Sequence, residues 1–247
     1  MTVHFIGAGP GAPDLITLRA RDLLASSPVC LYAGSLVPTE VLAHCPPGGQ
    51  LIDTKDLTLD DIVEVIVRAD GEGHDVARLC SGDPSVFSAV AEQMRRLDTV
   101  GIAYDVCPGV PAYAAAAAAL RREFTVPGVA QSVILTRTAE RATAMPPGED
   151  LATLGASHAT MVLHLAVQRI DALVDELIPV YGAQTPVAVV AYASRDDEQI
   201  IRGPLGEIAD AVKAAGIRRT AVVVVGAALA AENFPDSHLY SHARVRT

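Results

Sequence analysis

The sequence predicts an α/β protein built as two consecutive α/β domains with mainly parallel sheets, over residues 1–122 and 129–247. Three observations predict it. Short apolar runs alternate with amphipathic segments along the whole chain, the pattern of strand–helix units. Three of the runs end in glycine-proline loops, Gly7-Ala8-Gly9-Pro10-Gly11, Ser81-Gly82-Asp83-Pro84-Ser85 and Pro108-Gly109-Val110-Pro111-Ala112. In a parallel sheet such loops gather along the carboxyl edge, where ligands bind. Finally, Phe124-Thr125-Val126-Pro127-Gly128 interrupts the pattern between the two halves.

In the first half the apolar runs place strands at 3–7, 28–32, 50–53, 76–81 and 103–107. Helices fall between and after them, at 14–26, 38–44, 58–71, 85–98 and 111–122. Asp14 suits the cap of the first helix, and Asp60 and Asp61 put negative charge where the dipole of the third favours it. The six consecutive alanines from Ala114 to Ala119 read as a closely packed helix, because alanine is the best helix former. In the second half strands are expected at 131–136, 160–165, 186–192 and 221–225, with an antiparallel one at 199–202. Helices are expected at 168–178 and 205–215, and the polar stretch 137–150 is a connection. There is no solenoid repeat.

A chain of 247 residues is long enough to bury a sizeable core. Half of it is hydrophobic, yet no run approaches the roughly 18 uncharged residues of a membrane span. Met1 leads directly into a strand with no signal core, which predicts a cytoplasmic protein. A net charge of -10 argues against a nucleic-acid partner, since phosphate contacts need a basic face. Cys30, Cys45, Cys80 and Cys107 are widely spaced and read as small buried hydrophobes of a reducing compartment. His238 and His242 have helical ligand spacing but lie in a polar tail with no third ligand nearby, so no metal is expected.

Gly7, Gly9 and Ala12 satisfy the G-x-G-x-x-G/A pattern of dinucleotide-binding proteins. Two details oppose that alternative. Pro10 has no N–H to offer a pyrophosphate, and the second strand lacks the acid that holds the ribose. Nucleophile elbows, zinc-hydrolase helices and the G-x-x-x-x-G-K loop are also absent. The carboxyl edge is instead lined by glycine, proline, alanine and one strand-end carboxylate without a core role, Asp83. Such a lining suits a flat, uncharged heterocycle held through backbone groups, and adenosine is the natural candidate.

The succession Gly7-Ala8-Gly9-Pro10-Gly11 with Asp14-Leu15-Ile16-Thr17, then Gly82-Asp83-Pro84, Pro108-Gly109-Val110 and Thr136-Arg137, resembles the tetrapyrrole methylases. The resemblance runs from Val3 to about Ala230. It implies two α/β domains with S-adenosyl-L-methionine between them, left as S-adenosyl-L-homocysteine, and a homodimer. Three features, Leu31-Tyr32-Ala33-Gly34-Ser35-Leu36-Val37, residues 129–137 and the alanine-rich helix, narrow it to the branch that methylates precorrin-4 at C11 in cobalamin biosynthesis. Cobalt-precorrin-4, another precorrin or uroporphyrinogen are the alternative acceptors. Carried over position by position, the resemblance places Pro10, Gly82, Asp83, Val86, Pro111 and Ala112 around the cofactor, with Leu165 and Ala193 from the second domain.

A carboxylate-rimmed tetrapyrrole calls for arginines, and Arg137 and Arg141 are the expected substrate contacts, since a guanidinium fork matches a carboxylate in two hydrogen bonds. Ser35 is counted with them. Siroheme-branch relatives carry an aspartate after the tyrosine of the second strand, where this chain has Ala33-Gly34-Ser35. A serine hydroxyl is too weak a base to replace it unaided.

Overall fold

The computed structural model describes residues 1–138 and 143–238. The chain divides into two compact units, one of Met1–Ala115 with Ser194–Asp196, the other of Ala116–Ala193 with Asp197–Thr247. None of the described helices is long and apolar enough to cross a membrane.

The first unit is wound around strands β1 (Thr2–Gly7), β2 (Val29–Tyr32), β3 (Gln50–Asp53), β4 (Val76–Cys80) and β5 (Ala103–Cys107). They form one sheet in the order β3-β2-β4-β1-β5, and every pairing is parallel. Alternation within β1 shows how its two faces are covered. Val3 and Phe5 pack with Ile62 and Ile66 of α3 (Leu59–Gly71) and Val90 and Leu97 of α4 (Val90–Val100). Ile6 points the other way, toward Ala20 and Leu24 of α1 (Leu18–Ser26) and Val41 of α2 (Thr39–Leu42). Helices on both faces leave the sheet's carboxyl edge as the place where loops can meet.

Two helix starts differ from the sequence expectation. Asp14 lies in a separate single turn, Pro13–Leu15, and α1 is capped by Thr17, whose hydroxyl accepts from the Ala20 N–H at 3.1 Å. The helix expected at 85 begins only at Val90, because Phe87 and Ala89 both have φ 53 and break the helical path. By contrast α3 starts as its charges suggest, with Thr58 and Asp61 forming a reciprocal capping box.

The alanine helix α5 (Ala112–Leu120) runs across the boundary between the units and buries Ala115, Ala116 and Leu120. In the second unit the strands are β6 (Val133–Arg137), β7 (Thr160–His164), β8 (Pro186–Ala191), β9 (Gln199–Pro204) and β10 (Ala221–Val225), in the order β6-β7-β10-β8-β9. Helices α7 (Ile170–Tyr181) and α8 (Leu205–Ala214) bury Leu173, Leu177, Ile208 and Val212 against Met161, Leu163, Val189 and Val223 of one sheet face.

The expectation of mainly parallel sheets describes the first unit. In the second, β6 and β7 are parallel but the other three pairings are antiparallel, including the expected one of β9. Apolar runs report that a strand is buried and say nothing of its direction. A five-residue helix, α6 (Leu151–Gly155), capped by Asp150, follows the polar connection where none was expected.

Candidate active site

Three of the carboxyl-edge loops of the first unit are fastened to one another, the first two through backbone and the third through a side chain. Gly9 and Gly82 form an antiparallel bridge, the Gly9 N–H donating to the Gly82 carbonyl at 3.2 Å and the Gly82 N–H to the Gly9 carbonyl at 2.8 Å. Both residues have left-handed φ, +81° and +68°, which glycine adopts without a steric cost. Gly7 and Gly109 are glycines for a different reason, namely space. A Cβ on Gly7 would lie 2.5 Å from Gly109 Cα and 2.8 Å from the Gly82 carbonyl oxygen. The Ala12 N–H donates to Ser194 Oγ at 2.9 Å, so the short segment Ser194–Asp196 completes the first loop.

Asp83 is the bolt between the second loop and the third. Its carboxylate accepts from the Gly109 N–H at 2.8 Å, 26 residues away, from the Ser85 N–H at 2.9 Å and from the Ser85 hydroxyl. The side chain expected to have no core role instead joins two loops. Burial pushes its pKa up, yet the Ser85 hydroxyl, the Gly109 N–H and the Ser85 N–H together outweigh burial and hold the carboxyl below its ordinary value. A depressed folded-state pKa means that its stabilisation is present above the ordinary carboxylate range and is lost as pH falls through the folded value. The melting temperature of the wild type should therefore exceed that of Asp83→Asn at pH 7, with the gap closing on acidification. A gap independent of pH would contradict this.

Gly82 also touches the third loop, since a Cβ there would meet Ala112 N and Pro111 Cα at 3.5 Å. Gly82, Asp83, Pro111 and Ala112 are thus brought together, with Pro10 next to the bridged Gly9. The Val86 N–H donates to the Asp83 carbonyl at 3.3 Å, which folds Val86 back over the same loop.

Behind it lies a network that sequence reading missed. Arg78, in β4 and 8% exposed, donates from Nε to Gln93 Oε1 at 3.0 Å and from Nη1 to the Leu79 carbonyl at 3.0 Å. Gln93, 2% exposed, donates in turn to the carbonyl of Ala89 at 2.7 Å. Among the described residues no carboxylate pairs with this arginine. A charged residue inside a run otherwise suited to a central buried strand was the signal that could have found it.

On the other half of the edge, Asp53 at the end of β3 accepts from the Gly34 N–H at 2.9 Å and the Lys55 N–H at 3.0 Å. A Cβ on Gly34 would run into that carboxylate. The Gly34 N–H is the main cause holding the Asp53 pKa down, against burial and with help from Lys55. Ser35 lies in the adjoining single turn Gly34–Leu36, its side chain outside what is described.

In the second unit Arg137 ends β6, and its guanidinium donates to the Thr143 carbonyl at 2.8 Å and, at 3.5 Å, to that of Thr138. It lines a cavity of about 190 Å³ with Arg169, Glu149, Asp150 and Glu176. Leu165, just beyond β7, has φ 52 and is 65% exposed, while its carbonyl accepts from the Thr138 hydroxyl at 3.1 Å. Ala193 is buried between the left-handed Tyr192 and Ser194. Arg141 and His242 lie outside the described residues. Among the described residues no group of three His, Cys, Asp or Glu could hold a metal ion.

Left-handed non-glycine residues cost roughly 1–3 kcal/mol each and persist where the surroundings over-determine them. Phe87, Ala89, Leu165, Tyr192 and Ser194 all stand in loops that leave strands or precede helices. The first unit thus presents a backbone cradle with two anchored carboxylates, Asp83 and Asp53. Its chemical capacity is to bind and orient a ligand.

The family model for Tetrapyrrole (Corrin/Porphyrin) Methylases matches residues 2–209. The chain is 64% identical over 247 residues to a precorrin-4 C(11)-methyltransferase of Rhodococcus erythropolis, covering 100% of this chain and 99% of that protein. Its fold matches the X-ray structure of a cobalamin biosynthetic enzyme, cobalt precorrin-4 methyltransferase, with a TM-score of 0.89, 38% identity and coverage of 92% and 95% of the two chains. It also matches a uroporphyrin-III C-methyl transferase from Thermus thermophilus complexed with S-adenyl homocysteine, with a TM-score of 0.78, 28% identity and 92% coverage of each. With the family model, the full-length identity and the fold in agreement, this chain belongs to the tetrapyrrole methylases.

Proposed function

We propose that this protein is an S-adenosyl-L-methionine-dependent C-methyltransferase that methylates precorrin-4 at C11, giving precorrin-5 in cobalamin biosynthesis. The observation that carries it is identity of 64% along essentially the whole of both chains with a relative of that name. The cobalt-containing acceptor is the second reading. It is supported by the match to a cobalt precorrin-4 methyltransferase, but at 38% identity.

The first unit fits the cofactor in two respects. Glycines pack so closely that a Cβ would collide, leaving backbone groups to face a flat ligand, and Asp83 is held in its charged form. Pro10, Gly82, Asp83, Val86, Pro111 and Ala112 are the residues proposed to hold it, with Leu165 and Ala193 added on the resemblance. When bound, the cofactor supplies a methyl group polarised by a sulfonium. The chain's own contribution is to fix the distance and direction between that methyl and a ring carbon, an effect worth up to about 7–11 kcal/mol when alignment is good. Loops tied to one another through Gly9, Gly82, Asp83 and Gly109 are suited to that task, because they lose little freedom when a ligand arrives.

Two α/β domains, 1–122 and 129–247, a homodimeric state and a cytoplasmic location belong to the same proposal. Arg137, Arg141 and Ser35 are proposed for the substrate. Two donors of Arg137 already hold the carbonyls of Thr138 and Thr143, so it has a structural part as well as the proposed carboxylate contact. Arg137→Ala should raise KM for precorrin-4 about tenfold, near the loss of one charged hydrogen bond. S-adenosylhomocysteine affinity should stay within about twofold, and calorimetry beside steady-state kinetics checks both.

The decisive experiment is mass spectrometry and NMR of the product formed from precorrin-4 and S-adenosylmethionine by the purified chain. A new methyl at C11 is expected. Transfer to another carbon, or none, would overturn the proposal.

A further inference from the structure

We infer that Gln93 is a positioning residue: held by the buried Arg78, it fixes the far end of the loop between β4 and α4 and so sets the affinity of that loop for the cofactor. This rests on the functional reading above, which gives Gly82, Asp83 and Val86 of the loop to the cofactor. The near end of the loop is tied to its neighbours by the bridge between Gly9 and Gly82 and by the bond from the Gly109 N–H to Asp83. Its far end, Ala89, has φ 53 and ψ 35 and opens α4 with no side-chain cap of its own. An alanine keeps that left-handed conformation only where its surroundings impose it.

Gln93 imposes it. Its side-chain amide reaches back one turn and donates to the Ala89 carbonyl at 2.7 Å. The amide oxygen accepts from Arg78 Nε at 3.0 Å, and Arg78 Nη1 donates to the Leu79 carbonyl at 3.0 Å. Both side chains are buried, so water does not replace a bond lost here. Arg78 stands on β4, a strand held from both edges by β1 and β2. Two hydrogen bonds in line thus carry the position of the sheet to the end of the loop. Within the loop the Ser88 hydroxyl donates to the carbonyls of Asp83 at 3.0 Å and Val86 at 3.2 Å, so a displacement at Ala89 is passed on to the residues assigned to the cofactor.

The residue types fit such a relay. A guanidinium only donates and a carbonyl only accepts, so the group between them must accept on one side and donate on the other. An amide does both. A carboxylate would pair the buried cation, yet among the described residues none does so. It would have no proton to give to Ala89, and the bond to Ala89 explains why an amide stands here instead.

Gln93→Glu separates the two bonds, because it keeps the one to Arg78 and removes the one to Ala89. The purified wild type, Gln93→Glu, Gln93→Met and Gln93→Glu with Ala89→Gly should be compared by thermal melts, calorimetry with S-adenosylhomocysteine and kinetics with S-adenosylmethionine and precorrin-4. Gln93→Glu should melt within about 4 °C of the wild type. Its affinity for S-adenosylhomocysteine should fall about fivefold, the scale of one hydrogen bond. KM for S-adenosylmethionine should rise alike, with kcat within about twofold, as expected for binding lost equally in the ground and transition states. Glycine takes a left-handed φ without steric cost, so adding Ala89→Gly should bring part of the affinity back. Gln93→Met loses both bonds and should melt lower and bind at least as weakly as Gln93→Glu. A merely structural glutamine would lower the melting temperature and leave the affinity of the folded variants unchanged, and that result would overturn the inference. So would a loss of affinity that Ala89→Gly does not relieve. A wild type that neither binds S-adenosylhomocysteine nor methylates precorrin-4 would sink the functional reading and this inference with it. An active wild type whose Gln93 variants bind equally well sinks this inference alone.

Discussion

Gly109→Ala is expected to lower the unfolding free energy by about 3 kcal/mol and to remove S-adenosylhomocysteine binding. The added methyl would lie 2.7 Å from Gly7 Cα and 2.9 Å from Gly7 C, and would press on the Gly82 carbonyl. All of these are backbone atoms. Gly7 ends a strand paired on both sides, and Gly82 is bridged to Gly9, so neither can step aside as a side-chain tip could. The third loop must move instead, and the Asp83 bond to the Gly109 N–H goes with it. Gly71→Ala is the control, because its Cβ would meet nothing within 4 Å at the end of α3. That variant should stay within about 1 kcal/mol of the wild type. Urea denaturation beside a binding isotherm measures both, and a Gly109→Ala protein that binds normally would refute the close-packed cradle.

The second large effect is expected from Asp83→Ala. Three donors lose one acceptor: the Gly109 N–H, the Ser85 N–H and the Ser85 hydroxyl. Hydrogen bonds to a charged group contribute about 1.5–3 kcal/mol where water cannot replace them. This loop is partly exposed, so a total loss of about 2 kcal/mol is the appropriate scale. Binding should suffer more than stability. With the second and third loops no longer joined, the cradle must be ordered by the ligand, and S-adenosylhomocysteine affinity should fall at least about tenfold. Asp83→Asn keeps an acceptor oxygen and should fall between the two. Thermal melts and calorimetry decide, and unchanged affinity in Asp83→Ala would remove this loop from the proposed cofactor site.

Much of this was legible in the sequence, for reasons that particular residues make plain. The strand at 221–225 is found where its apolar run places it, because burial on a sheet leaves a local trace, and those at 50–53 and 103–107 match as well although they are the largely exposed edges of their sheet. The family was legible in three glycine- and proline-bearing motifs together with Thr136-Arg137, since backbone conformation and close approach restrict which residues can stand in such loops. Contacts that depend on distant partners were not. Nothing near Asp83 announces Gly109, and nothing near Gly34 announces Asp53, 19 residues on. The left-handed turn at Phe87 and Ala89 leaves no mark in residue types, and α4 begins five residues later than expected. Arg78 passed as an ordinary strand residue until Gln93 was seen beside it.

The place of β10 bears on how the chain is made. It is the last strand in sequence, yet it lies in the middle of its sheet, between β7 and β8. During synthesis the pairs β6-β7 and β8-β9 emerge first, and each presents an open apolar edge of the kind that recruits other chains. Val222, Val223, Val224 and Val225, all buried in the finished sheet, close both edges at once. A ribosome that stops before Ala221 therefore releases a sheet missing its centre. The interval between the exit of β8 and the exit of β10 is when a growing chain of this protein is most exposed to aggregation and has most use for a chaperone.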